Sequence, residues 1–249
     1  MKVVVCVKQV AALGDEVEFT ADGRDVDPDF LEHALNEWDA YSTEAALRIR
    51  EALGSGEVVA VTVGGGKTEA VLRRCLAMGA DRGVRIESPA ADPFAIARAL
   101  ASVVERERPE LVLCGVQSSD SVQAATGAAL AGLLDLPCVA VVTKVDVGGD
   151  GRGSAHRELE GGLLDVVDFD LPAVLTIQTG INEPRYATLR AIKQAEQQEI
   201  EVLSCPAGEP AYSVRRMFVP VRGEGAEMLS GSPAQIAARI AEIVNERLA

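Results

Sequence analysis

The sequence is poor in the residues that most often carry chemistry on their own. Only five cysteines and two histidines occur among 249 residues, and they form no CxxC pair and no spacing typical of zinc ligands. Most of the cysteines lie inside apolar runs, which predicts reduced core residues and a cytoplasmic location. No Ser/His/Asp arrangement is apparent, and the acidic residues are dispersed. We therefore expect neither a metal site nor catalytic residues.

Long basic clusters are also missing. Lys and Arg number 24 against 38 Asp and Glu, which gives a formal net charge of -14. Such a charge repels nucleic acid and anionic lipid surfaces. The apolar segment Met1–Val10 is short and is soon followed by acidic residues, which indicates a first strand and not a signal peptide. We expect no nucleic-acid partner and no direct membrane insertion.

Buried strands alternate with amphipathic helices along most of the chain. Continuous apolar runs predict strands covered on both faces, at Val3–Val7, Glu57–Val63, Gly83–Glu87, Leu111–Cys114 and Pro172–Thr179. Helical spacing and capping residues predict helices at Asn36–Leu53, Thr68–Met78 and Asp92–Arg108. Gly161-Gly162 joins Ala155–Glu160 and Leu163–Phe169 in a predicted hairpin. The fold class is therefore α/β, with a mainly parallel sheet, helices on both faces and an antiparallel hairpin addition.

Two parts of the chain depart from this alternation. Glu16–Thr20, followed by Ala21-Asp22-Gly23, predicts a short hairpin excursion. Pro206 and Gly208 indicate a linker, and Ser232-Pro233 begins a predicted helix with an apolar stripe. We expect an α/β domain over residues 1–205 and a C-terminal arm and helix over 206–249, packed on a partner. The apolar stripe consists of Ile236, Ile240, Ile243 and Val244.

The segment Glu110–Gly132 has the outline of a phosphate-binding turn. It predicts a strand, a polar turn over Gly115–Asp120 and a small-residue helix over Ser121–Gly132, capped by Asp120 or Ser121. Such a turn points backbone N–H groups and the positive end of a helix dipole at a ligand. An ordinary strand-to-helix connection that binds nothing is the alternative for this segment alone.

Three strand ends should meet at one edge of the sheet. Parallel strands place their carboxyl ends together, so we expect Cys6–Lys8, Val63–Gly66 and Gly115–Asp120 to converge, with Asn36–Asp39 nearby. The glycine run at residues 64–66 is not a P-loop, because Val61 stands where that fingerprint requires glycine. The converging ends predict a crevice suited to an adenine nucleotide.

Several segments match a known family in register. They are Met1–Val10, Ala77–Arg82, Leu113–Gly115 with Ser118–Asp120, the hairpin from Arg157 to Ala173, and Ile181–Leu189. In this combination, from Met1 to about Val202, the sequence resembles the beta subunit of electron transfer flavoprotein. Asp165 stands where the hairpin pattern prefers Glu or Gln.

The resemblance implies an adenine-nucleotide alpha-hydrolase-like fold and a non-enzymatic electron carrier subunit. Its partner would be an alpha subunit that holds most of the FAD site. The beta subunit would hold AMP, or a second FAD as in bifurcating relatives. The heterodimer would take electrons from dehydrogenases and pass them to a membrane quinone oxidoreductase or another acceptor.

Nucleotide contacts are carried over by position. They would be Cys6, Asn36, Glu37, Trp38, Asp39, Val63, Gly115, Val116, Gln117, Ser118, Ser119, Asp120, Ser121, Val122, Gln123, Ala124, Ala125 and Thr126. Four departures from the family pattern put the identity of the nucleotide in question. They are Val116 in place of a basic residue, Ser121-Val122 in place of acidic residues, Ala125 in place of Gln, and Glu37-Trp38 in place of Pro-Phe.

The segment Ile181–Ala195 resembles the loop by which such subunits dock onto dehydrogenases. Leu189 stands at the position of the anchoring leucine, and Arg185 and Tyr186 flank it. A surface loop packed on its own domain is the alternative. The lysine-rich run that often follows is replaced by Gln and Glu after Lys193, so the usual dehydrogenase partners need not apply.

Two other functions stay open at this point. A stress-type ATP-binding protein shares this kind of strand-turn-helix crevice and would form a colourless homodimer. A structural subunit that has lost its nucleotide is the second alternative, because Val116 and Ala125 remove side-chain donors. A yellow heterodimer would favour the flavoprotein interpretation.

Overall fold

The computed structural model describes residues 1–13, 17–27, 31–90, 92–206, 210–220, 225–226 and 228–248. The strands are β1 (Lys2–Cys6), β2 (Gln9–Leu13), β3 (Leu31–Leu35), β4 (Glu57–Val63), β5 (Arg82–Glu87), β6 (Leu111–Gly115), β7 (Cys138–Val147), β8 (Arg152–Glu158), β9 (Leu164–Asp170), β10 (Ala173–Ile177) and β11 (Ile200–Ser204). The α-helices are α1 (Glu37–Ala52), α2 (Glu69–Met78), α3 (Pro93–Glu107), α4 (Thr126–Leu134), α5 (Leu189–Gln197) and α6 (Pro233–Leu248).

Nine of the described strands form one sheet in the order β11-β5-β4-β1-β6-β10-β7-β8-β9. The strands from β11 to β7 run parallel, whereas β7, β8 and β9 pair antiparallel. The apolar runs therefore lie in the parallel part, where both faces are covered by helices. The predicted fold class, a mainly parallel sheet with an antiparallel hairpin addition, is confirmed.

Each face of the sheet has its own hydrophobic core. Val3 of β1 packs with Leu47 of α1 and with α2 on one face. Val4, one residue later, points to the opposite face and packs with Leu100 of α3 and Leu130 of α4. Alternate residues of a strand point to opposite faces, so one apolar strand serves both cores.

The predicted cap of α3 and the predicted turn of the β8–β9 hairpin both occur in the structure, and each depends on residues close together in sequence. The Asp92 carboxylate accepts hydrogen bonds from the N–H groups of Phe94 and Ala95 at 3.0 Å each, with Pro93 at the first helical position. The β8–β9 hairpin turns through Gly161 and Gly162, which have φ values of 78° and 76°. Both features agree with the prediction.

The strands β2 and β3 form a small antiparallel sheet that the sequence pattern did not predict. Gln9–Leu13 pairs with Leu31–Leu35, and Val10 lies opposite Ala34. The predicted hairpin excursion lies between these two strands. Its first residue, Glu16, lies outside the described residues, but Phe19 does bridge to Val26 around the predicted turn.

The helix after β6 begins later than predicted. The prediction placed it at Ser121–Gly132 with Asp120 or Ser121 as its cap, whereas α4 spans Thr126–Leu134. Its N-cap position is Ala125, and no side chain among the described residues caps it. The prediction was wrong because the carboxylate of Asp120 and the hydroxyl of Ser121 both bond the Lys8 ammonium group instead.

The C-terminal arm crosses the domain before it reaches the last helix. The N–H of Ala211 donates to the Asp92 carboxylate at 3.2 Å, and the N–H of Met217 donates to the Gly23 carbonyl at 2.8 Å. Within the described part, α6 begins at Pro233 as predicted, and no residue of it is buried. Gly208 of the predicted linker lies outside the described residues. Among the described helices, none has the length and apolar character needed to cross a bilayer.

Candidate functional site

The three predicted strand ends do meet. In the sheet β1 lies between β4 and β6, and the ends of these strands, at Cys6, Val63 and Gly115, line one crevice of about 220 Å³. The crevice lies at the carboxyl ends of the strands, the edge where ligands bind in open α/β sheets. This part of the predicted site geometry agrees with the structure.

Asn36 holds the turn that follows β6. Its buried amide group donates to the carbonyl of Gln117 at 2.8 Å and accepts from the N–H of Ser119 at 3.2 Å. One side chain thus satisfies a carbonyl and an N–H of the turn. These two hydrogen bonds hold the turn in one conformation beside the start of α1.

Asp39 joins the ends of two strands. Its carboxylate accepts from the N–H of Lys8 at 2.8 Å and from the N–H of Gly115 at 3.1 Å. A side chain at position 115 would collide with Trp38, because an added Cβ would lie 2.6 Å from the Trp38 Cβ. Glycine is therefore required for this close approach of α1 and β6.

Burial raises the pKa of Asp39 from 3.8 to about 7. The hydrogen bonds from the N–H groups of Lys8 and Gly115 favour the charged form and oppose this rise. Asp39 is therefore a carboxyl group at the crevice wall that titrates near neutral pH.

The two sides of the crevice differ in polarity. Val63, Pro93, Ile96 and Leu100 supply apolar surface on the side of β4 and α3. The turn after β6 supplies hydroxyl groups, amides and the start of α4 on the other side. This division suits a ligand with a flat apolar end and a polar or charged end.

The backbone of the turn is strained next to the start of α4. Val122 and Ala124 have φ values of 50° and 48°, a region that residues other than glycine rarely adopt and that is least favourable for a β-branched residue such as Val122. Such strain is concentrated at ligand-binding segments, where the surrounding contacts maintain it. The first N–H groups of α4, from Thr126 onward, have no partner within the helix and carry partial positive charge.

Most of the predicted nucleotide residues line the crevice. They are Cys6, Asn36, Asp39, Val63, Gly115, Val116, Gln117, Ser118, Ser121, Gln123, Ala124, Ala125 and Thr126.

Five predicted residues lie beside the crevice and do not line it. They are Glu37, Trp38, Ser119, Asp120 and Val122. Trp38 points elsewhere because its indole N–H donates to the Gln178 side chain at 2.8 Å. Ser119 and Asp120 are engaged by Asn36 and Lys8.

Sequence reasoning missed part of the lining. Ile96 and Leu100 of α3 form the apolar side, although the helix predicted over Asp92–Arg108 has no part in the predicted crevice. Lys8 also lines the crevice; it lies at a predicted converging strand end and is the first charged residue after the apolar run of β1, which is the signal that could have indicated a role for it.

A second, larger groove lies away from these residues. It has a volume of about 1020 Å³ and lies between α1 and the β8–β9 hairpin. Arg48, Lys144, Asp146 and Asp168 give it charges of both signs. None of the predicted nucleotide residues borders it, so the smaller crevice is the candidate site.

The predicted docking segment is anchored to α1 by Arg185. Its guanidinium group donates to Glu44 and Glu51, with shortest distances of 2.7 Å to each. Burial would raise the pKa of Glu44, but hydrogen bonds from Arg185 and Arg48 lower it below its ordinary value. Arg185 therefore faces its own domain, whereas Tyr186 and Leu189 are 91% and 81% exposed.

Comparison with known proteins identifies related sequences. The sequence model of the electron transfer flavoprotein domain matches residues 29–207. Electron transfer flavoprotein subunit beta from Methylophilus methylotrophus is 45% identical, over 99% of this chain and 98% of that protein. The human subunit beta is 37% identical, over 82% of this chain and 81% of that protein.

The similarity extends into the C-terminal arm in bacterial relatives. Subunit beta from Syntrophomonas wolfei is 32% identical over 97% of this chain and 95% of that protein. The match to the Methylophilus protein also spans nearly the whole chain. The arm is therefore shared with these relatives.

We predict that Asp39 makes stability depend on pH. Because its pKa is higher in the folded protein than in the unfolded chain, it favours folding at acidic pH, and that contribution is lost as pH rises through about 7. Each unit of pKa difference corresponds to about 1.4 kcal/mol. The melting temperature of the wild type should therefore fall relative to that of D39N between about pH 5.5 and pH 8.

The control is E37Q, which makes the same change at an exposed residue of the same helix. Its melting temperature should follow the wild type across this pH range. If the difference between wild type and D39N stayed constant or widened in favour of the wild type, Asp39 would have to be ionised throughout.

Proposed function

Because the chain belongs to the electron transfer flavoprotein family, as a beta subunit, we propose that its crevice holds AMP while an alpha subunit holds the FAD. Proteins of this family carry electrons, and flavin and AMP belong to the complex. The convergence of Cys6, Val63 and Gly115 at one crevice is the observation that supports a nucleotide in this chain.

The crevice matches the parts of a mononucleotide. The apolar side at Val63, Ile96 and Leu100 suits an adenine ring, and the polar turn with the start of α4 suits a phosphate group. At about 220 Å³ the crevice lies below the usual range of about 300–1,000 Å³ for drug-sized ligands. Its size therefore favours AMP over a second FAD.

The missing side-chain donors do not argue against this ligand. Val116 and Ala125 replace side chains that other members use, but the turn can offer main-chain N–H groups in their place. Because the chain belongs to the electron transfer flavoprotein family, a stress-type ATP-binding homodimer is no longer a candidate function. A subunit without nucleotide stays an alternative that direct counting tests.

The direct experiment is to co-express both subunits, denature the purified heterodimer and count the released molecules. We expect one FAD and one AMP per heterodimer. Two FAD and no AMP would indicate a second flavin in this chain, and one FAD alone would indicate a structural subunit.

Ala125→Asp should remove the AMP. Position 125 precedes the first turn of α4, so an aspartate there would place a negative charge where the phosphate is expected. We expect the AMP content to fall about tenfold or more, because the added carboxylate and the phosphate would repel each other at close range. Chromatography of the released nucleotides measures it.

Ala125→Asn is the matched control. Asparagine has the shape of aspartate without its charge, and both residues are favourable at a helix N-cap. AMP should stay in A125N. Full AMP content in A125D would show that the phosphate does not lie at the start of α4.

We further propose that the segment Ile181–Ala195 docks the heterodimer onto a dehydrogenase. Tyr186 and Leu189 are exposed although they are large and apolar, and Arg185 fixes the loop that carries them to α1. An exposed apolar anchor on a fixed loop is the form of a binding hot spot. Electrons would then pass to a membrane quinone oxidoreductase or another acceptor.

Leu189→Ala should impair reduction by a dehydrogenase without affecting cofactors. Hot-spot leucines contribute about 2 kcal/mol or more, so we expect kcat/KM for reduction of the heterodimer to fall about tenfold or more. The matched control is L133A, because Leu133 is an exposed leucine on α4. Equal rates for both variants would exclude Leu189 as the anchor.

The C-terminal helix is the proposed contact with the alpha subunit. Ile240 and Val244 are about half exposed, at 50% and 48%, on the apolar side of α6. An amphipathic helix whose apolar side is uncovered needs a partner surface. Residues 206–249 would therefore serve assembly, as the sequence pattern predicts.

Ile240→Glu should weaken the heterodimer. The control A238E adds the same charge to the opposite side of α6, since residues two apart on a helix point in nearly opposite directions. We expect I240E to shift the complex toward separate subunits on size exclusion at low micromolar concentration, and A238E to remain assembled. An unchanged elution volume for I240E would rule out the proposed contact between Ile240 and the alpha subunit.

A further inference from the structure

The ammonium group of Lys8 is held against the turn after β6. Its Nζ donates to the Asp120 carboxylate at 2.5 Å, to the Ser118 hydroxyl at 3.1 Å and to the Ser121 hydroxyl at 3.3 Å. The backbone N–H of Lys8 is held separately by Asp39, at 2.8 Å. Both ends of the residue are therefore fixed, and the position of the charge is well defined.

Lys8 is the only cation among the described residues that line the crevice. The one acidic residue in the same lining is Asp39, whose carboxylate accepts two backbone N–H groups. Asp120 lies just behind the lining and forms an ion pair with Lys8, with side-chain exposures of 40% for Lys8 and 24% for Asp120. The charge that a ligand meets at the turn is therefore set by this pair.

Position 116 supplies no second positive charge to the crevice. Val116 lines the crevice with an apolar side chain, so a phosphate there depends on Lys8 for a cationic side chain. A lysine ammonium is a compact charge with three donors on a flexible stem, and it can exchange one acceptor oxygen for another. The oxygens of Ser118 and Ser121 that it now contacts are neutral, so a phosphate oxygen would be a stronger acceptor than either.

We propose that Lys8 is the residue by which this crevice selects a phosphorylated nucleoside over an uncharged one, and that Asp120 weakens the selection by neutralising the ammonium group. The inference rests on the proposed nucleotide function. Lys8 binds the phosphate directly, while Asp120 acts through Lys8 by competing with the phosphate for its ammonium group.

A purely structural role for the ion pair between Lys8 and Asp120 would change ligand binding in a different way. If the ion pair only held the turn in place, removing either partner would loosen the turn and weaken the binding of AMP and adenosine alike. If Lys8 binds phosphate, the two substitutions act in opposite directions on AMP, because loss of Asp120 leaves the positive charge uncompensated. The sign of the Asp120→Asn effect therefore separates the two roles.

The test measures binding of AMP and adenosine to the nucleotide-stripped heterodimer by equilibrium dialysis. In K8M the affinity for AMP should fall about tenfold or more, the scale of one hydrogen bond between charged groups, while the affinity for adenosine stays within about twofold. In D120N the affinity for AMP should rise about threefold or more. In the double variant K8M/D120N part of the loss should be recovered, because the uncompensated carboxylate is gone.

The control is K67M, which removes the same charge from an exposed lysine at the same edge of the sheet. It should bind both ligands as the wild type does. An equal loss of AMP and adenosine in K8M, or weaker AMP binding in D120N, would overturn the role of Lys8 and leave the nucleotide site standing. Failure of the wild type to bind either ligand would overturn the proposed function itself.

Discussion

The crevice depends on two buried polar side chains at the start of α1. Asn36 bonds both a carbonyl and an N–H of the turn after β6, and Asp39 accepts from the ends of β1 and β6. A buried polar group is costly unless its hydrogen bonds are made, so these contacts cannot be exchanged for others without loss. The position of one helix thereby determines the shape of the site.

Side chains beside the crevice differ in how closely the fold constrains them. Trp38 bonds the Gln178 side chain and does not line the crevice. Gly115 cannot change, because any side chain would meet Trp38 and Asp39. A site that bound its ligand through main-chain groups would tolerate substitution at Val116 and Ala125, because a side-chain change there removes no main-chain donor.

Much of the fold could be predicted from the sequence because its signals are local. Apolar runs located the parallel strands, and the Asp92 cap and the paired glycines at 161–162 act within a few residues. The start of α4 could not be predicted in this way. Lys8 engages Asp120 and Ser121 from more than a hundred residues away, and it removes the two residues that would otherwise cap the helix. The β2–β3 pairing and the apolar wall at Ile96 are likewise set by tertiary contacts.

The helix that shapes the crevice also holds the predicted docking segment. Asp39 lies in the first turn of α1, whereas Glu44 and Glu51, farther along the same 16-residue helix, bind Arg185. An α-helix rises 1.5 Å per residue and keeps that spacing, so the distance from the crevice to Arg185 is constant. The exposed Leu189 therefore cannot move relative to the crevice unless the segment between it and Arg185 bends or the ion pairs with α1 break. Because Arg185 contacts both Glu44 and Glu51, freeing the loop requires both ion pairs to break, and among the described residues the buried Glu44 would then keep only its pair with Arg48.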